Sequence, residues 1–198
     1  MLRPSACLAL VLMVGPSACI QGGDGIPLET VELSVDGACD GGPRCLAPGD
    51  SPGTEVGLPM ADPCLKDQNG EVVHLYDSCG KVTLVGIGAS WCQPCREEQP
   101  EFARWYEEIG PDHLSIYFVL FQDFDTSPAS RSTVRDWLED LGSPYPVVAD
   151  PLNRVKDSLA PGSEVPVTVL LDRSMRIRTV GRFEIPVIRA KLDELLAE

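Results

Sequence analysis

The sequence predicts one α/β domain in which a mixed central β-sheet is covered by helices on both faces. From about residue 82 onward, short apolar runs of strand length alternate with longer amphipathic segments, a pattern that is typical of α/β folds. The chain has 198 residues, of which 43% are hydrophobic and only 6% aromatic. That size and composition suit one core with a leader and a tether rather than two cores.

The regular part is expected to begin with a β-hairpin. Residues alternate between Leu65 and Leu75 around Asn69-Gly70, which is the strongest short hairpin signal. Strands are then expected at residues 82–88, 114–121, 146–149, 167–171 and 176–180, and helices at residues 91–109, 130–141, 152–159 and 187–197. The aromatic residues Trp105, Tyr106 and Trp137 are expected to be part of the core and not a platform for a ligand.

The first 18 residues are predicted to be a signal peptide. Arg3 provides a positive start, residues 6–14 are apolar, and small residues precede Cys19. The apolar run is too short to span a bilayer as a helix of roughly 20 residues. We therefore expect the protein to be exported.

Ser17-Ala18-Cys19 resembles the bacterial lipobox, which implies that Cys19 is lipidated and becomes the new N-terminus. The chain has Pro16 where the lipobox usually has Leu. An ordinary secretory signal cut near the same place is the alternative. If Cys19 is lipidated, we expect the lipid to anchor the protein on the periplasmic side of a bacterial membrane.

Residues 19–56 are predicted to be a flexible tether rich in Gly and Pro, and residues 57–198 to be the domain. Eight cysteines fit an oxidising compartment. Cys39 and Cys45 lie on either side of a tight turn and are expected to pair; Cys64 and Cys79 bracket the hairpin and are also expected to pair. A second redox pair that relays electrons is the alternative for Cys64 and Cys79. Sequence alone leaves this connectivity open.

Charge and composition narrow the set of partners. The chain has 16 Lys and Arg against 30 Asp and Glu, a net charge of −14, which would repel phosphates and argues against nucleic acid. The chain contains two histidines, His74 and His113, and neither lies at ligand spacing from Cys92. We therefore expect surface histidines, no metal site, no cofactor and a monomer.

The chemistry is predicted to lie in Trp91-Cys92-Gln93-Pro94-Cys95, where a buried strand ends and a helix begins. The sulfur of Cys92 would lie among unpaired backbone N–H groups at the positive end of the helix dipole, which favours the thiolate. Cys92 is therefore the expected nucleophile and Cys95 the expected resolving thiol. Pro94 costs no hydrogen bond in the first turn of a helix.

The stretch from Gly80 through these cysteines to Pro100 resembles the thioredoxin superfamily, and in particular its TlpA/ResA-like extracytoplasmic branch. The resemblance extends from about Thr54 to the end of the chain and implies a thioredoxin fold. It also implies that Pro100 is the helix-kinking proline and that Pro166 is a cis-proline facing the cysteine pair. Substrate would then bind beside Trp91 and Pro94, along the backbone of Val165.

The sequence differs from cytosolic thioredoxins at one position near the cysteines and matches the TlpA/ResA-like branch at another. Cytosolic thioredoxins have a buried Asp six residues before the first cysteine, where this chain has Gly86. Members of the TlpA/ResA-like branch have a Glu in the helix, and Glu98 matches it. Glu98 is expected to raise the pKa values of the sulfurs and to handle the proton that Cys95 loses. The alternative is a solvated surface acid beside Glu97 and Glu101.

The expected function is thiol–disulfide oxidoreductase in the cell envelope, reducing protein disulfides as this branch does, for example, in cytochrome c maturation. Its partners would be disulfide-bearing envelope proteins and a thiol electron donor. One alternative is a peroxidase of the peroxiredoxin branch, which would need Thr or Ser and Pro where this chain has Ala89 and Val85. Another is a binding module in which the Cys92–Cys95 bond is only structural.

Overall fold

The computed structural model describes residues 45–162 and 164–198, in which seven strands form one sheet. The predicted signal peptide, Cys19 and Cys39 lie outside the described residues. In chain order the strands are β1 (Leu65–Lys66), β2 (Val72–Val73), β3 (Val82–Gly88), β4 (Leu114–Leu120), β5 (Val147–Ala149), β6 (Val167–Leu171) and β7 (Ile177–Gly181). Across the sheet their order is β2-β1-β5-β4-β3-β6-β7.

Four α-helices occur in the described part of the chain: α1 (Gln93–Ile109), α2 (Arg131–Leu141), α3 (Arg154–Leu159) and α4 (Ile185–Leu196). The bounds of α2 follow from local chemistry. Ser130 and Thr133 form a reciprocal capping box at its start, and Gly142 ends it in the left-handed conformation, with φ 63°. Helix α1 runs through Pro100, whose missing N–H leaves one helical hydrogen bond unmade.

The sheet is mixed, as predicted. Strands β3, β4 and β5 are parallel, whereas β1, β2, β6 and β7 each run antiparallel to an inner neighbour. The expected hairpin is present, because β1 and β2 pair around a turn in which the Asp67 carboxylate accepts hydrogen bonds from the backbone of Asn69 and Glu71. The connections β3-α1-β4 and β4-α2-β5 join parallel neighbours in the same direction across the sheet, so both helices lie on the same face of the sheet. On that face, Arg96 of α1 forms an ion pair with Asp140 of α2 at 3.1 Å.

The core lies between this sheet and its helices. All seven residues of β3 are buried, so this strand is the centre of the hydrophobic interior. Trp105 and Trp137 are buried as expected, and Tyr106 packs against the core from a half-buried position. The ring of Trp137 stacks on that of Phe118 with centroids 5.0 Å apart. These aromatic residues stabilise the fold and leave no open platform.

Residues 45–56, the part of the predicted tether that the structure describes, are bonded to the domain. The Asp50 carboxylate accepts a hydrogen bond from Arg176 at 2.7 Å, and the backbone N–H of Gly53 donates to the carbonyl oxygen of Pro59 at 2.8 Å. Gly53 forms a bridge with Met60 beside them. The chain therefore follows the β7 side of the sheet before the first strand begins.

The expected disulfide pairings are wrong. Cys45 is bonded to Cys79, with Cα atoms 5.7 Å apart, so neither the Cys39–Cys45 pair nor the Cys64–Cys79 pair exists. Cys64 is also disulfide-bonded. The physical reason is that residues 45–56 fold back along the domain and bring Cys45 to the loop before β3, a contact between positions far apart in sequence.

The two histidines differ in exposure. His113 is exposed, as expected, whereas His74 is half-buried, with Nδ1 3.5 Å from the carboxylate of Asp62. Among the described residues, no cluster of His, Cys, Asp and Glu has the geometry to hold a metal ion. In the same part of the chain, no helix combines the length and apolarity needed to cross a bilayer.

Candidate active site

Cys92 and Cys95 lie where β3 gives way to α1. Cys92 is the N-cap residue of the helix, and its sulfur accepts a hydrogen bond from the backbone N–H of Cys95 at 3.2 Å. The two sulfurs are bonded to each other, with Cα atoms 5.2 Å apart. Both residues are almost fully buried, with exposures of 2% and 0%. The structure is thus that of the oxidised protein.

This position prepares Cys92 for nucleophilic chemistry after reduction. The free N–H groups of the first helical turn and the positive end of the helix dipole stabilise a negative charge on the N-cap sulfur. Such an environment lowers the pKa of a cysteine thiol. Pro94 occupies the first turn of α1, where its missing N–H leaves no acceptor unsatisfied. Backbone geometry alone therefore favours Cys92 as the attacking thiolate.

Trp91 precedes the cysteine pair and covers its outer side. Its indole ring is 43% exposed, and its Nε1 donates a hydrogen bond to the side-chain oxygen of Gln122 at 3.2 Å. The ring of Phe121 meets it edge-on, with centroids 6.4 Å apart. Trp91 is consequently held in place while much of its apolar surface stays accessible to another molecule.

The peptide bond between Val165 and Pro166 is cis, as the resemblance implied. It immediately precedes β6, whose first residue, Val167, pairs with Ile87 near the end of β3. Since the cysteine pair follows the same end of β3, the cis-proline loop and the cysteines meet at one edge of the sheet. Trp91 and Val165 line a common groove of about 460 Å³ there.

Glu98 lies one turn beyond Cys95 on the same face of α1 and is only 6% exposed. The alternative of a solvated surface acid is therefore wrong. Burial raises the pKa of the Glu98 carboxyl to about 8; the charge of Arg182 opposes this shift and that of Glu184 adds to it. At neutral pH the carboxyl is mostly protonated, and its ionised fraction can accept a proton.

Two polar residues that the sequence did not single out form a hydrogen-bond chain to the backbone of Cys95. The side-chain amide of Gln99 donates a hydrogen bond to the backbone carbonyl of Cys95 at 3.0 Å, and its oxygen accepts one from the Tyr145 hydroxyl at 2.8 Å. Gln99 and Tyr145 are 1% and 4% exposed. No local pattern could have revealed this chain of hydrogen bonds, because Tyr145 approaches only when the sheet forms.

The packing around Gly86 in β3 explains why this chain lacks the buried Asp that cytosolic thioredoxins have at this position. A Cβ atom on Gly86 would lie 2.6 Å from the ring of Phe118. The space that a buried Asp would need is thus occupied by an aromatic side chain from the neighbouring strand. Glu98, one turn beyond Cys95, is instead the buried carboxyl group of helix α1.

The second disulfide lies at the far end of the sheet. Cys79 precedes β3 and Cys92 follows it, so the full length of a seven-residue strand separates them, which is roughly 23 Å at about 3.3 Å per residue. Direct thiol–disulfide exchange between Cys45–Cys79 and Cys92–Cys95 within one molecule is excluded by that distance. The structure thus assigns Cys79 to a disulfide that joins the N-terminal segment to the domain.

Solved structures identify the fold as that of the thioredoxins. The exposed lipoprotein thioredoxin Etrx1 from Streptococcus pneumoniae matches 66% of this chain and 97% of its own, with a TM-score of 0.54 and 24% identity. A secreted thiol-disulfide isomerase from Corynebacterium glutamicum matches 67% of this chain and 82% of its own, with a TM-score of 0.54 and 24% identity. Within this class the chain belongs to the AhpC/TSA family, whose model matches residues 56–180.

Curated relatives agree with this placement. The thioredoxin-like protein YneN of Bacillus subtilis is 31% identical over 98 residues, which are 50% of this chain and 55% of YneN. The thiol-disulfide oxidoreductase ResA of the same organism is 29% identical over 108 residues, 54% of this chain and 56% of ResA. The thiol:disulfide interchange protein HelX of Rhodobacter capsulatus is 34% identical over 121 residues, 60% of this chain and 62% of HelX. The chain therefore spans a little over half the length of the curated relatives it matches.

Proposed function

We propose that this protein is a thiol–disulfide oxidoreductase that reduces disulfides in other proteins. The observation that carries the proposal is the cysteine pair itself: Cys92 caps α1 and is bonded to Cys95, beside a cis-proline loop and an open groove. The similarity to ResA and HelX supports it, because those proteins are a thiol-disulfide oxidoreductase and a thiol:disulfide interchange protein.

The reaction begins once a thiol donor has reduced the Cys92–Cys95 bond with two electrons. The Cys92 thiolate attacks one sulfur of a substrate disulfide, forms a mixed disulfide and releases the other substrate sulfur as a thiolate. Cys95 then loses its proton and attacks the sulfur of Cys92. This second step restores the Cys92–Cys95 bond, breaks the mixed disulfide and leaves the substrate with two thiols.

Glu98 is the proposed acceptor of the proton that Cys95 loses. Its place one turn beyond Cys95, its burial and a pKa of about 8 suit a group that exchanges protons near neutral pH. A carboxyl that is mostly protonated at pH 7 also adds little negative charge beside the sulfurs. The ionised fraction of Glu98 can thus accept the proton in the resolving step, while the protonated majority does not oppose formation of the Cys92 thiolate.

The groove between Trp91 and Val165 is the proposed substrate site. An extended segment of the substrate can pair with the backbone of Val165 as an added strand pairs with a sheet edge. Its disulfide would then approach the sulfur of Cys92. Trp91 supplies an exposed apolar wall on the other side of the same groove, and Pro94 lies in the adjoining helical turn.

We also propose that the protein is exported and anchored by a lipid on Cys19, on the periplasmic side of a bacterial membrane. The leader pattern before Cys19 supports export, and the Cys45–Cys79 disulfide suits an oxidising compartment. The similar Etrx1 is an exposed lipoprotein. Cys19→Ser should release the protein from the membrane fraction; continued membrane association of a cleaved, unlipidated chain would contradict the anchor.

Insulin reduction with a thiol donor tests the enzymatic function. Wild-type protein should accelerate it, and Cys92→Ser should abolish the acceleration while the thermal unfolding transition is retained. Cys95→Ser should accumulate mixed disulfides through Cys92, which can be identified by mass spectrometry under non-reducing conditions. Full insulin reduction by Cys92→Ser would contradict the mechanism, and an inactive wild-type protein would indicate a binding module.

A further inference from the structure

The groove beside Cys92 combines an apolar wall with a charged rim. Trp91, Phe121 and Val165 provide the wall, and Lys156, Arg182 and Glu164 provide the rim. The wall suits an apolar side chain of a substrate segment that lies along Val165. The rim is where a second side chain of the same segment would meet a charge.

Two of the three charged residues on this rim form an ion pair with each other, and the third, Lys156, does not take part in it. Arg182 donates a hydrogen bond to the carboxylate of Glu164 at 3.1 Å, so these two charges largely compensate each other. The Nζ atom of Lys156 lies 5.9 Å from the centre of the Phe121 ring. Among the residues that the structure describes, no carboxylate lies within ion-pair distance of Lys156; the adjacent Asp157 instead accepts a hydrogen bond from Asn153 at 3.0 Å.

Lys156 therefore gives this rim one positive charge that no carboxylate of the described residues neutralises, in a chain whose net charge is −14. The net negative charge of the chain disfavours an acidic peptide, whereas Lys156 would attract an acidic side chain at this one rim. A charge that complements a partner contributes more to selection and to the rate of encounter than to affinity. Lys156 is therefore suited to distinguish among disulfide-bearing segments.

We propose that the groove selects substrate segments that carry an apolar side chain beside the cysteine and an acidic side chain within reach of Lys156. The apolar side chain covers Trp91 and Val165, and the acidic side chain pairs with the Lys156 ammonium group. This inference rests on the proposed reductase function and names its substrate class. The pairing acts before electron transfer, in the formation of the mixed disulfide at Cys92.

Two synthetic disulfide peptides test the selection. Both carry Leu next to the attacked cysteine, and they differ in having Glu or Lys two positions further along. Pre-reduced protein is mixed with each peptide at low salt, and the rate of mixed-disulfide formation is measured. Wild type should react about threefold to fivefold faster with the Glu peptide, as expected for one partly exposed ion pair, and 1 M salt should remove the difference.

Lys156→Gln should abolish the preference for the Glu peptide, and Lys156→Arg should retain it. Lys191→Gln is the matched control, because Lys191 is also half-buried over an aromatic ring, 5.4 Å from the centre of Phe183, but lines a different depression. It should leave the preference unchanged. Thermal melts establish that each variant is folded, and the preference of the wild type itself is measured without any substitution.

The outcomes separate this inference from the proposed function. Equal rates with the two peptides in wild type, or a preference that persists in Lys156→Gln, would overturn the selection by Lys156 and leave the reductase in place. Failure of wild type to reduce either peptide, or insulin, would overturn the reductase itself. A faster reaction with the Lys peptide would contradict the inference.

Discussion

Gly88 packs directly against Cys95, on the side of its Cα atom where a Cβ atom would be. Gly88 is the last residue of β3, and Cys95 lies in the first turn of α1. A Cβ atom on Gly88 would lie 2.7 Å from the Cys95 sulfur and 3.0 Å from its Cβ. The first distance is shorter than real Cβ contacts, and the second is at the short limit of those contacts. The absence of a Cβ at Gly88 is therefore what allows α1 to seat the cysteine pair against the sheet.

Gly88→Ala is expected to displace Cys95 and to slow the resolving step. Because the contact is with the rigid start of a helix and with the Phe118 ring at 3.0 Å, the added methyl group should also destabilise the protein by about 1–3 kcal/mol. Urea unfolding measures the stability, and single-turnover reduction of a peptide disulfide measures the step. If Cys95 attacked the mixed disulfide at the wild-type rate, the contact between Gly88 and Cys95 would not control the position of this cysteine.

Gly86→Asp, which restores the residue of cytosolic thioredoxins, should destabilise this protein strongly. The new Cβ would lie 2.6 Å and 2.8 Å from two atoms of the Phe118 ring, and the carboxylate would be buried in an apolar core. Gly86→Ala isolates the steric part of the effect. Phe118→Leu should rescue Gly86→Ala in part, and a double-mutant cycle by urea unfolding measures the coupling; additive effects would contradict the proposed clash.

Glu98→Gln should change the pH dependence of stability in a defined direction. Burial raises the pKa of Glu98 from 4.5 to about 8, so its contribution to stability is complete below about pH 4.5 and is lost as the pH rises through 8. Gln cannot ionise, so the stability of the variant relative to wild type should increase between pH 5 and pH 9. Urea unfolding of the oxidised proteins measures this without titrating the cysteine pair.

Glu97→Gln is the control for that measurement, because Glu97 is the adjacent residue of the same helix but is exposed. It measures the effect of a Glu-to-Gln substitution at an exposed position of α1. If the curves for Glu98→Gln and wild type stay parallel from pH 5 to pH 9, the carboxyl of Glu98 titrates normally. That outcome would remove the basis for its role as the proton acceptor.

Replacing both Cys45 and Cys79 by Ser should reduce stability but leave disulfide exchange intact. The bond closes a separation of 34 residues, and loop entropy in the unfolded chain predicts a loss of about 3–4 kcal/mol. Because the bond lies at the end of β3 opposite Cys92, the rate of insulin reduction should be unchanged. A proportional loss of activity in the folded variant would instead connect this disulfide with the active site.

Local sequence was sufficient to predict the cysteine site. The apolar run of β3, the helix pattern after it and the position of Pro94 together placed Cys92 at a helix N-terminus, and the structure confirms this. The cis geometry at Pro166 was predicted from resemblance and is also confirmed. Each of these predictions depends on neighbours within a few residues or on a motif that is contiguous in sequence.

Other features could not be predicted in this way. The disulfide connectivity was predicted wrongly, because a cysteine that flanks a turn or a hairpin bonds to whichever sulfur the folded chain brings near, and the return of residues 45–56 along the domain brought Cys45 to Cys79. The charged rim of the groove likewise joins Lys156 and Arg182 from separate elements. Neither residue lies near the cysteine motif in sequence.

The sequence by itself determined where the cysteine pair lies, since a helix N-terminus and two cysteines one turn apart are local properties of the chain. The tertiary structure decided the burial of Glu98 and the other surroundings of those cysteines. Glu98 is one of several acidic residues on α1, and only the packing of the helix against the sheet buries it and raises its pKa. Burial is a property of the assembled fold, because it depends on which distant segments exclude water from a side chain.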